Sequence, residues 1–257
     1  RRLKVIGRHG VGYDKIDLAA ARERGVALIC TPFENTDAVA ELVMALLLVC
    51  SRSIAQGIEA VRQGRWKEKG KIQSEELSGK KIGFVGYGRI ARAAARLLTG
   101  AFAMPVYAHD PYVRADAWNS LEPAAVRCET LEDLFATCDA ISLHVPLTPE
   151  TEGLIGKKLF DVAKPGAILV NTARGGIVAE DDLYEALRGG RLMAAASDVF
   201  TQEPPDLAHP LFSLPNFIPT PHFGGTTRQA LERVALAVVR EVVACLRGGG
   251  DPLYRVI

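Results

Sequence analysis

Short apolar runs alternate with amphipathic, helix-spaced segments along almost the whole chain. Strand-like runs fall at Lys4 to Gly7, Val26 to Cys30, Lys81 to Gly86, Val106 to Asp110, Ala140 to Val145, Ala167 to Thr172, Ala194 to Val199 and Phe217 to Pro221. The spacing of apolar residues between them predicts helices over Asp14 to Gly25, Thr36 to Cys50, Arg89 to Leu98, Leu131 to Ala136 and Asp181 to Arg188. A long helical pattern, Thr226 to Leu246, follows the last strand. Strands that alternate with helices imply parallel pairing through crossover helices, hence an α/β fold. The unit that starts at Lys81 holds enough strands for a complete doubly wound sheet. The two earlier strands are cut off from it by a long apolar helix and belong to a second, smaller sheet. Two domains follow: residues 1–33 with 227–257, and residues 34–226. The stretch Arg52 to Gly79 is polar and glycine-rich, with Trp66 in its middle. It is too long for an idle connection in a compact domain, so it is expected to pack against a second subunit, giving a homodimer. The first strand begins almost at Arg1, which suggests that residues precede it.

Composition narrows the partners. Lys and Arg number 31 against 30 Asp and Glu. That balance argues against nucleic acid or an anionic membrane as the main partner. The longest apolar run, around Leu42 to Cys50, is too short to span a bilayer, and no signal-peptide pattern is visible. The five cysteines include no C-x-x-C pair, and Cys30, Cys50 and Cys138 read as buried thiols. A reducing, cytoplasmic setting and no metal site are expected.

The run from Lys81 to Leu98 reads as strand, glycine turn and helix, with Gly86, Gly88 and Ala91 at the G-x-G-x-x-G/A positions. Gly86 permits the tight turn, Gly88 lets backbone amides approach a pyrophosphate, and Ala91 allows close helix–strand packing. The pyrophosphate would lie at the helix start, near Arg89 and Ile90, where free N–H groups favour anions. The next strand ends in Asp110, where a ribose-binding acid is expected. An acid there repels a 2′-phosphate, so NAD is expected over NADP, although Arg114 is close by.

Three later strands each end at a polar group: Arg174 after the strand ending at Thr172, Asp198 with Glu203 nearby, and His222. Ligands bind at the carboxyl ends of strands in open α/β sheets, so these positions converge. Moving a hydride to or from an alcohol carbon needs a proton acceptor or donor, and histidine titrates in the right range. A carboxylate such as Glu203 fixes the tautomer and favours the imidazolium. An arginine can hold a substrate carboxylate and polarise its carbonyl.

At this point the sequence resembles the D-2-hydroxyacid dehydrogenase family, which includes phosphoglycerate dehydrogenases and glyoxylate/hydroxypyruvate reductases. The resemblance rests on RHGVGYDKID, TPFENTDAVAE, ELSGKKIGFVGYGRIA, HVPLTPET, NTARGGIV, DVFTQEP and TPHFGG, in that order. It implies a Rossmann-type NAD domain and a smaller flavodoxin-like substrate domain, N-terminally incomplete here. It makes Arg174, Glu203 and His222 the catalytic residues and NAD the cofactor. It assigns Val145, Pro146, Thr151, Thr172, Ala173, Asp198 and Gly224 to the cofactor, beside the glycine turn, Arg174 and His222. It assigns the backbone at Val11 and Gly12 to the substrate carboxylate, with Arg8 near the substrate's far end. The implied substrate is a 2-hydroxy or 2-oxo acid, among them 3-phosphoglycerate, hydroxypyruvate and glyoxylate. An NAD-sensing corepressor of the same family is the alternative. A formate dehydrogenase would pair the histidine with glutamine, and Glu203 argues against it.

Overall fold

The computed structural model describes residues 3–257; Arg1 and Arg2, at the head of the expected first domain, lie outside them. In chain order the elements are β1 (Val5–Gly7), α1 (Leu18–Glu23), β2 (Ala27–Ile29), α2 (Thr36–Ser51), α3 (Ile54–Arg62), β3 (Ile82–Val85), α4 (Arg89–Phe102), β4 (Val106–His109), β5 (Val126–Arg127), α5 (Leu131–Thr137), β6 (Ala140–Leu143), α6 (Lys157–Val162), β7 (Ala167–Asn171), α7 (Glu180–Arg188), β8 (Leu192–Ser197), β9 (Phe217–Pro219) and α8 (Arg228–Leu246). They form two units: Arg1–Val39 with Phe223–Ile257, and Ala40–His222.

The larger unit is a seven-stranded parallel sheet in the order β5-β4-β3-β6-β7-β8-β9. The order reverses between β3 and β6, which creates the crevice where such sheets bind ligands. Strands β3, β6 and β7 are buried at every position, which is why they read as unbroken apolar runs. Helix α4 lies close on the sheet because the residues it buries are small: Ala91, Ala93, Ala94 and Ala95, with Leu98. On the other face, a Cβ at Gly83 would stand 2.9 Å from the Cys138 Sγ and 3.1 Å from Leu134, so α5 sits equally close. Burial pushes the Cys50 and Cys138 thiols up to about 12, and neither is a nucleophile at neutral pH.

The smaller unit pairs β1 with β2 in parallel, and α8 packs on β1. A Cβ at Gly7 would stand 2.8 Å from Val242 and 2.9 Å from Val238 of that helix. Beyond α8 the chain folds back, and Arg255 forms an antiparallel bridge to Ile29. The Tyr254 hydroxyl donates to Glu34 Oε1 at 2.6 Å. The unit boundary falls after Val39 rather than after residue 33. The Glu34 carbonyl accepts from Arg233 at 2.8 and 3.0 Å, and Asn35 packs where a Gly225 side chain would be. These contacts tie Glu34 and Asn35, just before α2, to Arg233 and Gly225 within the smaller unit.

The stretch after Arg52 is more ordered than its composition suggests. It contains α3 and a 3₁₀ turn, Trp66–Lys71. Ile54, Ile58 and Val61 of α3 are exposed, and Trp66 is 66% exposed, so it is not a core tryptophan of this chain. No single helix among the described residues is long and apolar enough to cross a membrane.

Candidate active site

The glycine turn follows β3 at the sheet's reversal point. Gly86 has φ +83°, and a Cβ there would stand 2.9 Å from Val145 Cγ1 and 3.0 Å from the His144 carbonyl. Both the left-handed backbone and the close approach therefore require glycine. Gly88 is the N-cap of α4 and supplies no capping side chain. A Cβ at Gly88 would meet nothing within 4 Å, so the helix start opens onto free space. The first-turn amides, including those of Arg89 and Ile90, have no carbonyl four residues back to bond. Asp110 is half-buried beside this turn. Its Oδ2 accepts the Tyr87 amide at 2.8 Å and its Oδ1 accepts the Tyr112 amide at 2.9 Å. Each carboxylate oxygen retains a lone pair for ribose hydroxyls. Arg114 is occupied by Asp116, at 3.0 Å, on the exposed surface.

The loop after β6 carries the HVPLTPET motif. Val145 packs against Gly86. The Thr151 hydroxyl donates to the Pro146 carbonyl at 2.6 Å and accepts the Thr148 amide at 2.8 Å, so it braces its own loop. His144, not expected from sequence, is half-buried beneath, with Nε2 at 2.8 Å from the Ser142 hydroxyl. Burial pushes its imidazole down to about 3, so it stays neutral.

Strands β7, β8 and β9 are neighbours, and their carboxyl ends present Arg174, Asp198 and His222. Asn171 ends β7 and organises the arginine loop. Its Nδ2 donates to the Arg174 carbonyl at 2.8 Å, its Oδ1 accepts the Ala173 amide at 3.0 Å, and its carbonyl accepts the Asp198 amide at 2.9 Å. Gly175 then lies directly against the next arm. A Cβ there would be 1.9 Å from the Phe200 carbonyl carbon. The Thr172 hydroxyl is buried without a hydrogen-bond partner among the described residues. Asp198 is 2% exposed, and its Oδ1 accepts from the Thr220 hydroxyl at 2.7 Å.

The Glu203 carboxylate meets His222 Nδ1 at 2.8 Å through Oε2 and 3.0 Å through Oε1. Glu203 Oε1 also accepts the Phe200 amide at 3.2 Å, which fixes the carboxylate. A carboxylate only accepts, so Nδ1 carries the hydrogen and Nε2 is left to exchange a proton. His222 has φ +51°, a left-handed conformation costly for a side chain with Cβ. The pair is half-exposed, whereas Asp198 beside it is buried.

Arg8, Val11 and Gly12 belong to the smaller unit. There Arg8 bends over its own loop, donating from Nε to the Gly12 carbonyl at 2.6 Å and from Nη1 to the His9 carbonyl at 2.5 Å. Gly10, with φ +120°, exchanges hydrogen bonds with buried Thr31: its amide donates to Thr31 Oγ1 at 2.9 Å and its carbonyl accepts the Thr31 amide at 3.1 Å. Gly224 is buried in the same unit, two residues after His222. Sequence reasoning missed Asn171 and Thr220, which flank the assigned residues at strand ends. Asn three residues before the arginine is the readable signal for Asn171.

These features fit a dinucleotide: an open helix start behind an obligatory glycine, a half-buried acid at the end of the second strand, and an orphaned hydroxyl at Thr172. Among the described residues no three His, Cys, Asp or Glu side chains gather as metal ligands.

Comparison with known proteins agrees with this geometry. Residues 44–224 match the family model described as D-isomer specific 2-hydroxyacid dehydrogenase, NAD binding domain. The chain is 42% identical over 248 residues to D-3-phosphoglycerate dehydrogenase of Archaeoglobus fulgidus, covering 96% of this chain and 46% of that protein. It is 39% identical over 244 residues to hydroxypyruvate reductase of Thermotoga maritima, covering 94% of this chain and 77% of that one. A Thermus thermophilus protein of known crystal structure superposes with a TM-score of 0.89 at 40% identity, covering 99% of this chain and 79% of its own. The chain thus spans less than half the length of the phosphoglycerate dehydrogenase it matches. It belongs to the D-isomer specific 2-hydroxyacid dehydrogenase family, and residues 44–224 are that family's NAD binding domain.

Proposed function

We propose that the protein interconverts a D-2-hydroxy acid and its 2-oxo acid by hydride transfer at C2. The observation that carries this reading is the Glu203–His222 pair, held at 2.8 Å at the carboxyl end of the sheet. When bound, the nicotinamide cofactor would supply the hydride from its reduced form, NADH, in reduction, and its oxidised form, NAD⁺, would accept it in oxidation. The amides at Gly88, Arg89 and Ile90 would hold its pyrophosphate and Asp110 its ribose. Thr172, Ala173 and Asp198 would hold its carboxamide, with Val145, Pro146 and Thr151 lining the remaining path in the larger unit. His222 donates a proton from Nε2 to the substrate carbonyl oxygen during reduction and takes it back during oxidation. Glu203 holds the ring and compensates the charge of the protonated form. The Arg174 guanidinium engages the substrate carboxylate and the reacting oxygen through charge-assisted bonds. In the smaller unit, the amides of Val11 and Gly12 are the groups that suit a carboxylate, and Arg8 shapes their loop.

The names of the relatives favour hydroxypyruvate or 3-phosphoglycerate over other 2-hydroxy or 2-oxo acids. The protein is also read as a homodimer, joined through α3 and the exposed Trp66, and as cytoplasmic, in keeping with five cysteines that form no disulfide among the described residues. A panel of 2-oxo acids, including glyoxylate, hydroxypyruvate and its 3-phosphate, assayed by NADH oxidation tests the function. Turnover of at least one supports it. NADH binding without oxidation by any of them overturns it. Sedimentation at micromolar concentration tests the dimer, and a monomer alone refutes it.

A further inference from the structure

We propose that the Thr220 hydroxyl is a positioning group that sets both the carboxylate of Asp198 and the backbone of His222. Thr220 follows β9, and every polar group it has is committed. Its amide donates to the Ser197 carbonyl at 2.9 Å, which continues the β8–β9 ladder one residue beyond the strand. Its hydroxyl donates to Asp198 Oδ1 at 2.7 Å. Its carbonyl accepts the His222 amide at 3.0 Å, across Pro221. The last bond closes a three-residue turn in which proline fixes the central φ. The chain leaves this turn with His222 in the left-handed region at φ +51°, a conformation that persists only where neighbours over-determine it. Thr220 therefore bonds both to the buried acid and to the histidine of the Glu203–His222 pair.

The physical consequence is specific. Asp198 is 2% exposed, so the direction of its carboxylate is set by its donors rather than by water. A hydroxyl donor to a carboxylate is a charge-assisted bond, and its loss lets the carboxylate turn away from where it is needed. The inference rests on the reading of Asp198 as a cofactor contact given above.

The test uses Thr220→Val and Thr220→Ser. Valine keeps the shape and β-branching and removes only the donor. Serine keeps the donor. The readouts are NADH dissociation constants by fluorescence titration, thermal midpoints, and KM for glyoxylate or another accepted 2-oxo acid alongside kcat. Thr220→Val is expected to weaken NADH binding by roughly tenfold or more, the scale of one hydrogen bond to a charged group. It should lower kcat while moving the oxo-acid KM less, and should lower the thermal midpoint by a few degrees, the scale of one lost hydrogen bond to a buried charge. Thr220→Ser should restore NADH binding to within about threefold, a difference well under 1 kcal/mol. A valine variant that binds NADH as the parent does overturns the proposal. So does a serine variant as weak as valine. If the valine chain does not fold, Thr220→Ala, which only removes atoms, is read by the same NADH titration. Asp198→Asn is the control: if it leaves NADH affinity unchanged, the reading of Asp198 itself fails, whatever Thr220 does. Weakening by Asp198→Asn but not by Thr220→Val isolates the failure to Thr220.

Discussion

Gly175→Ala adds a single carbon where the structure has no room for one. The new Cβ would stand 1.9 Å from the Phe200 carbonyl carbon, 2.3 Å from its oxygen and 2.3 Å from the Thr201 nitrogen. Ordinary carbon contacts lie at about 3.5–4.0 Å, so two backbone segments must part by roughly 1.6–2 Å. Neither is a flexible side chain that can swing aside. One segment carries Arg174, directly before the glycine. The other anchors Glu203, whose Oε1 takes the Phe200 amide at 3.2 Å. The displacement therefore pulls the arginine and the Glu203–His222 pair apart. Overpacking alone costs about 1–3 kcal/mol, which lowers the thermal midpoint by several degrees. A misplacement of about 1 Å in a reacting constellation costs on the order of 10² in rate, so kcat/KM should fall at least that far. Gly176→Ala is the control, because its Cβ would meet Leu147 at 3.4 Å, close to an ordinary contact. Steady-state kinetics and thermal unfolding of both variants decide the matter. Gly175→Ala kinetics within twofold of the parent would refute the argument that this contact fixes the site.

Arg174→Lys should raise KM for the oxo acid and lower kcat together, by about 10-fold or more in kcat/KM, because an ammonium cannot reproduce the guanidinium fork; unchanged kinetics would make Arg174 structural. Asp110→Ser should weaken NADH binding and narrow its lead over NADPH, and it should also loosen the glycine turn, since Asp110 holds the Tyr87 and Tyr112 amides; equal kcat/KM for the two cofactors in the unaltered chain would sink this assignment. His144 should make the protein acid-sensitive. Its folded value is pushed down to about 3 from 6.5, so the unfolded chain takes up the proton first and stability is lost as pH falls below about 6.5. Near pH 4.5, about two units lower, that loss is about 2–3 kcal/mol. Urea unfolding at both pH values should show this loss in the parent and not in His144→Asn, and identical pH dependence in the two would refute it.

The fold was legible where one physical demand dominated the sequence. Strands β3, β6 and β7 are covered on both faces, so they had to be continuous apolar runs, and they were found within a residue or two at each end. The separate two-stranded sheet was legible because α2 and a polar stretch interrupt the alternation. Elements whose form depends on tertiary contact were not legible. Strand β5 is two exposed residues, Val126–Arg127, made a strand only by the neighbouring edge of β4. Helix α6 buries only Leu159 and Phe160, too few to set a period. Helix α3 reads as polar connection in the sequence because its apolar positions are spaced among glycine and charged residues, and Ile54, Ile58 and Val61 remain exposed. The bridge from Arg255 back to Ile29 has no local signal at all, since it pairs residues at opposite ends of the chain.

The site divides along the same line. Chemistry requires particular atoms, so the roles proposed for Arg174, Asp198, Glu203 and His222 follow from residue type and position at strand ends. The Glu203–His222 distance then followed as the structure's own finding. What holds those atoms still is different in kind. Asn171 and Thr220 act through backbone amides and carbonyls of residues beside them, and any polar residue at a strand end looks the same in sequence. Only coordinates show that the Asn171 side chain spans to the Ala173 amide and the Arg174 carbonyl, or that Thr220 reaches both Asp198 and His222. The glycines show the reverse case. Gly86 was legible through its place in the dinucleotide turn, whereas the necessity of Gly175 comes from a backbone about 25 residues away in sequence, arriving at 1.9 Å. A reacting residue declares itself by what it is. A supporting residue declares itself only by what it touches, and the support decides whether the reacting atoms stand within the fraction of an ångström that catalysis demands.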